Sequence, residues 1–214
     1  MIAREGLNLI LLFAVIGITL SIIGLLVALS ILLFLAIAAG LITIFLLFFF
    51  RDPERMIPAG TDLVISPSDG RVLAVESVLA NDFVGSDGQK ISVFLSPLDV
   101  HVIRSPIEGQ IKYSRYHRGA FRAAYRKEAS LENENLELGI ENNRGRLILR
   151  QIAGVLARRI VCHAKELDEL KMGARLGVIK FGSRVELILP PNVDVKVKTQ
   201  DRVKAGDTVI GVFQ

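Results

Sequence analysis

From Leu7 to Phe50 the chain runs about 44 residues without a charged side chain. One membrane-crossing helix needs roughly 20 apolar residues. The run therefore predicts two spans joined by a short turn within Gly24–Ser30, and a re-entrant hairpin seated in one leaflet satisfies the same pattern. A cleaved signal peptide fits poorly, because the run is too long and no small-residue cleavage site closes it. Arg51-Asp52-Pro53-Glu54-Arg55 ends it, with proline and charge where a helix meets the lipid interface.

Beyond this boundary the pattern changes to short apolar runs punctuated by glycine and proline. Asp62–Glu76 reads as a strand, a turn at Ser68-Asp69-Gly70, and a second strand. Ile91–Ile111 repeats the scheme, with a Ser96-Pro97 break and a turn at Gly109; in Val100-His101-Val102 an extended chain puts the histidine on the face opposite its neighbours. Leu131–Leu136 is polar and loop-like, leading to strands near Ile140 and Leu147–Ile152. Ala153–Ala164 suits a strand or a short helix, Glu166–Lys171 a turn, and Val193–Lys198 alternates as a half-buried strand does. Many short strands of this kind predict a β-rich (α+β) domain of barrel or sandwich character. The tail Val203-Lys-Ala-Gly-Asp-Thr-Val-Ile210 is similar to the last hairpin of lipoyl and biotinyl carrier domains. The domains expected are a membrane anchor over 1–50 and a soluble domain over 51–214.

Charge sharpens this division. Arg4 and Glu5 are the only charged residues before position 51, so the formal net charge of +4 resides in the soluble part. A mildly basic domain beside a membrane segment suits anionic headgroups better than nucleic acid. With two spans both ends lie on one side, and Arg4, Arg51 and Arg55 point that side to the cytoplasm. The single cysteine, Cys162, excludes an internal disulfide and a cysteine-based zinc cluster.

Three stretches carry candidate chemistry, each with an ordinary alternative. Gly182-Ser183, between two apolar runs, is a turn or bulge, or a place where the main chain is open to attack. His101 is a structural histidine or a base, and Asp69-Gly70 a hairpin tip or an acid site. Lys112–Lys127 gathers basic residues with Tyr113, Tyr116, Phe121 and Tyr125; it is a solvated basic face, a headgroup contact, or the weakest option, a single-strand nucleic-acid surface. His163 suggests no chemistry.

Taken together, Arg51-Asp52-Pro53, Ser66–Gly70, Ser96-Pro-Leu-Asp-Val-His101, Gly119-Ala-Phe121, Gln151-Ile-Ala-Gly154, Ala157-Arg-Arg-Ile160 and Arg175–Arg184 closely resemble the short-form phosphatidylserine decarboxylase proenzymes. The likeness is collinear from Arg51 to Pro190; each motif is weak alone, and the ordered set is specific. It implies a self-processing carboxy-lyase that turns phosphatidylserine into phosphatidylethanolamine with a pyruvoyl group derived from Ser183. Decarboxylating an amino acid requires an electron sink, usually a separate cofactor, and no glycine-rich cofactor loop between strand and helix stands out here. No metal is implied.

By this resemblance Ser183 Oγ attacks the Gly182 carbonyl, the amide becomes an ester, and elimination cuts the chain. The dehydroalanine left at 183 hydrolyses to pyruvoyl and ammonia. The products are a membrane-bound β chain, Met1–Gly182, and an α chain, 183–214, paired as an αβ heterodimer whose further oligomerisation stays open. The pyruvoyl carbonyl then forms a Schiff base with the substrate amine. His101 is implied as the base, with Asp69 as its partner and Ser183 as nucleophile. Long-form relatives carry a second histidine where this chain has Arg104, so His101 covers both processing and catalysis, or another group takes one role. Two other readings stand beside this one: an archaetidylserine decarboxylase acting on an ether lipid, and a non-catalytic membrane-anchored carrier or adaptor modified at Lys171.

Overall fold

The computed structural model describes residues 1–80, 82–126, 128–155, 159–180 and 182–214. Ala157 and Arg158 of one motif, Lys127 of the basic stretch, and Phe181 beside the candidate cleavage site lie outside the described residues. The chain divides into two compact units, Met1–Glu54 and Arg55–Gln214.

The first unit is a helical hairpin, α1 (Arg4–Leu26) and α2 (Ser30–Phe49). The turn falls inside the expected interval, with Ala28 in the left-handed region (φ 51°). Both helices are long and apolar enough to cross a membrane, at mean hydropathies of 2.9 and 3.0. Small residues line their contact: Ala36 and Ala39 are buried, and Gly17 faces Ala39 across the seam, the close approach that small side chains permit in lipid. Leu11, Ile18, Phe34, Ile37 and Ile44 remain exposed, as suits an apolar solvent. Among the hairpin's hydroxyls, Ser21 donates to the Gly17 carbonyl and Thr43 to that of Ala39. The ends meet, since Ala3 N–H donates to the Phe50 carbonyl and Asp52 N–H to that of Met1.

The second unit is built of antiparallel strands. In chain order they are β1 (Leu63–Ile65), β2 (Gly70–Val78), β3 (Gly88–Leu95), β4 (Val102–Arg104) and β5 (Gly109–His117), then the one-turn helix α3 (Ala129–Glu132). Next come β6 (Asn135–Glu141), β7 (Arg146–Ile152), β8 (Ile160–Cys162), β9 (Glu169–Leu170), β10 (Arg175–Ile179), β11 (Ser183–Leu189), β12 (Val193–Val195), β13 (Arg202–Val203) and β14 (Val209–Phe213). The main sheet has the order β13-β2-β3-β11-β7-β6-β5-β9, and two three-stranded sheets, β1-β14-β12 and β4-β10-β8, accompany it. Bulges at Val72/Ala74 and Ile111/Tyr113 break the register of the large sheet, and such bulges bend strands. Val93, Leu95, Val185, Leu187, Leu189, Leu147 and Leu149 from its inner face join Val64, Ile103, Ile179 and Ile210 from the smaller sheets in one core.

Several local readings change in this context. The Ser68-Asp69-Gly70 turn does not close a hairpin, because β1 pairs with β14 while β2 pairs with β3 and β13. His101 lies just before β4 rather than inside a strand, and Val100, His101 and Val102 are all buried. The alternation of Val193–Lys198 is strand only as far as Val195. The lipoyl-like tail keeps its turn, in which Asp207 and Thr208 N–H both reach the Lys204 carbonyl. Its strands pair outward, β13 with β2 and β14 with β1 and β12. Lys171, the lysine of the carrier reading, comes after β9, which pairs with β5, and precedes β10, which pairs with β4 and β8; it is not the tip of a hairpin.

Leu149 is wholly buried beside β11 in this core. Leu149→Ala is expected to cost about 2–5 kcal/mol through lost burial and a residual cavity, read as a melting temperature lower by roughly 5–15 °C.

Candidate active site

β11 is hydrogen-bonded along both edges, to β3 from Ser183↔Leu95 to Leu189↔Gln89 and to β7 from Arg184↔Ile152 to Ile188↔Ile148. Its alternation sends Ser183, Val185, Leu187 and Leu189 inward. Ser183 is therefore the first residue of a rigid strand, and Gly182 before it belongs to no strand. Ser183 is fully buried, and its hydroxyl has no hydrogen-bond partner among the described residues.

Two glycines shape the peptide at this junction. Gly182 has φ 70°, a conformation that side chains disfavour, although the space a Cβ would occupy is open. Continuing the β7 register brings Gly182 opposite Gly154, and there the constraint is contact: a Cβ on Gly154 would lie 2.0 Å from the Gly182 carbonyl oxygen. The Gly182 carbonyl is thus seated on the bare Cα of Gly154. Asn133 fixes that neighbourhood, donating through Nδ2 to the carbonyls of Ala153 (2.7 Å) and Arg122 (2.8 Å) while accepting Arg122 N–H. This is where Gly119-Ala-Phe121 enters: Ala120 bridges Asn133, and a Cβ at Gly119 would collide with the backbone at 132–134.

The loop after β3 delivers His101. Asp99 N–H donates to the Ser96 carbonyl, and Asp99 Oδ2 accepts from both the N–H and hydroxyl of Ser96, a self-capped turn typical of a Ser-Pro-x-Asp run. The Asp99 carbonyl lies 2.9 Å from His101 Nδ1. A carbonyl only accepts, so Nδ1 carries the proton. Nε2 then presents its lone pair, and Gly182 N–H points at it from 3.4 Å. The His101 carbonyl accepts Ile179 N–H, tying the imidazole's backbone to the last residue of β10. A buried neutral imidazole with an acceptor nitrogen thus stands one peptide away from the Gly182–Ser183 bond.

Asp69 is tied to two other segments of the chain. Both its oxygens accept from Arg55 Nη2, at 2.9 and 2.8 Å, and Oδ1 also accepts Ala205 N–H. On the His101 ring the Asp99 main-chain carbonyl lies against Nδ1. Arg104, which stands where long-form relatives have histidine, is buried; its Nη1 donates to the Gly173 carbonyl. The stems of Arg104 and Arg55 both flank Gly206.

On the outer face the start of β11 is held by charge. Arg184 Nη1 donates to Ser130 Oγ and the Arg126 carbonyl, and Ser130 Oγ donates to Glu186 Oε1. Glu186 is fully buried with Arg150 and Arg184 each 3.6 Å away, and Arg150 also grips Glu137. Glu137 accepts from Tyr113, whose pKa is driven up by burial and by this carboxylate. The basic residues between 112 and 126 are exposed, and some have partners at the surface: Arg115 lies over the Tyr113 ring, and Arg122 pairs with Glu132.

One buried polar group on the inner face is unexplained by packing. Gln151, opposite Val185, is fully buried, and neither amide heteroatom has a hydrogen-bond partner among the described residues, an arrangement that costs about 1–3 kcal/mol. Its neighbour Cys162 has its thiol pKa raised by burial, an effect partly offset by the Ala164 backbone and by the nearby Gln151 amide, whose approach to the sulfur falls outside hydrogen-bond geometry. Asp99, Gly154, Gln151 and Arg55 all fell within or beside the resembling motifs, yet only the Ser96-to-Asp99 spacing signalled a local role. The other three act through contacts distant in sequence.

Gly154→Ala is expected to displace the Gly182 carbonyl. If the chain cuts itself at this bond, the cut slows at least about a hundredfold, since misplacement by an ångström carries that cost; a denaturing gel reads it directly.

The family model for phosphatidylserine decarboxylase matches residues 42–211. A phosphatidylserine decarboxylase proenzyme of Chlorobium phaeobacteroides is 42% identical over 178 residues, covering 83% of this chain and 84% of that protein. Proenzymes of the same description from Symbiobacterium thermophilum, at 46% identity over 82% of each chain, and Chlorobaculum tepidum, at 40% over 83% and 82%, are similarly close. With the intact Gly182-Ser183 pair beside a buried imidazole, these matches make the chain a member of the phosphatidylserine decarboxylase family.

Proposed function

We propose that this chain is a proenzyme that cuts itself between Gly182 and Ser183, and that the resulting pyruvoyl enzyme decarboxylates phosphatidylserine to phosphatidylethanolamine at a membrane. The observation that carries the reading is the approach of His101 Nε2 to Gly182 N–H, beside a buried and unbonded Ser183 hydroxyl. Family membership supplies the reaction class.

The residues suit the self-cleavage. Ser183 Oγ needs a base, and His101 is neutral at Nε2 because Asp99 holds the other nitrogen's proton. Oγ bonds to the Gly182 carbonyl carbon, the bond to Ser183 nitrogen breaks, and the hydroxyl proton passes through Nε2 to the leaving amine. Gly154 leaves the carbonyl unobstructed by a side chain. Elimination of the ester and hydrolysis then leave the pyruvoyl group, whose carbonyl supplies the electron sink for loss of carbon dioxide. The site fits such a group, being buried and fixed on both strand edges. His101 is the candidate proton donor to the former α-carbon.

Asp69 enters as a positioning residue. It belongs to the Met1–Gly182 piece, yet it accepts Ala205 N–H from the 183–214 piece. Asp99 does the same through Arg202, 2.9 Å from Oδ1. Both carboxylates tie the halves of an αβ product together. A diacyl lipid stays in its bilayer, and the apolar hairpin keeps the enzyme there. Arg4, Arg51 and Arg55 favour a cytoplasmic catalytic domain.

Purified wild-type protein is expected to give two bands on a denaturing gel, with a blocked fragment beginning at 183. Ser183→Ala should leave one inactive chain, and His101→Ala should slow the cut by roughly 10²–10⁴-fold; a wild type that decarboxylates while remaining one chain would refute the mechanism. In inside-out vesicles protease should reach residues 55–214, and protection there would overturn the cytoplasmic orientation.

A further inference from the structure

Building on the Gly182–Ser183 self-cleavage described above, we propose that Gln151 is a positioning residue for it, its amide N–H donating to Ser183 Oγ as the hydroxyl turns toward the Gly182 carbonyl. Gln151 and Ser183 are both fully buried, and both have side-chain polar atoms without a partner. They share the inner face of adjacent strands: Gln151 is opposite Val185, two residues along from Ser183 on that face. One further step of the same register sets Ala153 opposite Ser183. Its methyl group leaves room for the long glutamine side chain to lean along β7, and diagonal neighbours in a sheet lie within reach of long side chains. The hydrophobic neighbours Leu149, Val185 and Leu187 would pack as well against methionine or leucine. An amide kept unpaired among them points to a state in which it is paired.

The hydroxyl must give its proton to His101 while its oxygen approaches carbon. A donor on the oxygen's other lone pair holds that orientation without competing for the base. The nearby Cys162 thiol donates to the Ala164 carbonyl, and its approach to the Gln151 amide falls outside hydrogen-bond geometry, which leaves the amide available.

The test tracks the conversion of full-length 1–214 chain into its two pieces after cell-free synthesis into lipid vesicles. Gln151→Met, close in volume and apolar, should cut ten- to a hundredfold more slowly than wild type, with a melting temperature equal or higher. Gln151→Glu should recover relative to wild type as the pH falls, because its carboxyl group becomes a donor only when protonated. Cleavage of Gln151→Met within twofold of wild type overturns the proposal. So does slow cleavage with a lowered melting temperature and no pH-dependent recovery in Gln151→Glu, which marks a packing role. If wild type itself stays uncut, the self-cleavage reading falls and this inference falls with it; a cut wild type matched by Gln151→Met removes the inference alone.

Discussion

β11 is gripped on both edges, and its first residue is Ser183. That single arrangement sets the rest of the site. A strand paired on both sides cannot shift along its axis without breaking two ladders, so the peptide just before it is the nearest place where the chain can bend. Gly182 bends there, at φ 70°, and its carbonyl settles against the bare Cα of Gly154. One side of the Gly182–Ser183 bond is clamped and the other is loop, which is the geometry a hydroxyl needs to reach its own neighbouring carbonyl.

The same double pairing would keep two pieces together after a cut. β11 sits in the sheet between β3 and β7, β14 lies between β1 and β12, and β13 adds to β2. Residues 183–214 thus contribute an interior strand to the main sheet and the middle strand of a second one. Asp69 to Ala205 and Asp99 to Arg202 add polar ties between the two pieces. Outside the sheet, the Arg184–Ser130–Glu186 cluster pins the residue immediately after Ser183. Breaking one of the partners of a buried charge such as Glu186 leaves it uncompensated, so this cluster also guards the alignment of the strand's first residues.

The apolar helical hairpin and the β domain obey different rules of folding. In α1 and α2 small residues meet at the seam and large apolar ones face outward. In the domain the order reverses, with Leu, Ile and Val inside. The change of rule falls at the Arg51–Arg55 boundary, and Arg55 is already part of the domain, holding Asp69.

Local chemistry made much of this legible. A long uncharged run without glycine-proline breaks reads as helix whose backbone groups are satisfied within the segment, and the hairpin with its turn near Ala28 has that form. Short alternating runs between glycines and prolines give strands, and Gly182-Ser183 stands out as a break between two of them. The order of motifs carried the family. Pairing was another matter. Asp69-Gly70 reads as a hairpin tip, yet its flanking strands enter different sheets, and neither the hold of Asp69 on Arg55 nor that of the Asp99 carbonyl on the His101 ring is written in the local pattern. A strand's side-chain alternation states which residues share a face, and leaves open which other strand lies beside it. The contacts of Gly154 with the Gly182 carbonyl, of His101 with Gly182, and the shared face of Gln151 and Ser183 join residues tens of positions apart. Only the closed ladder of β3, β11 and β7 decided them.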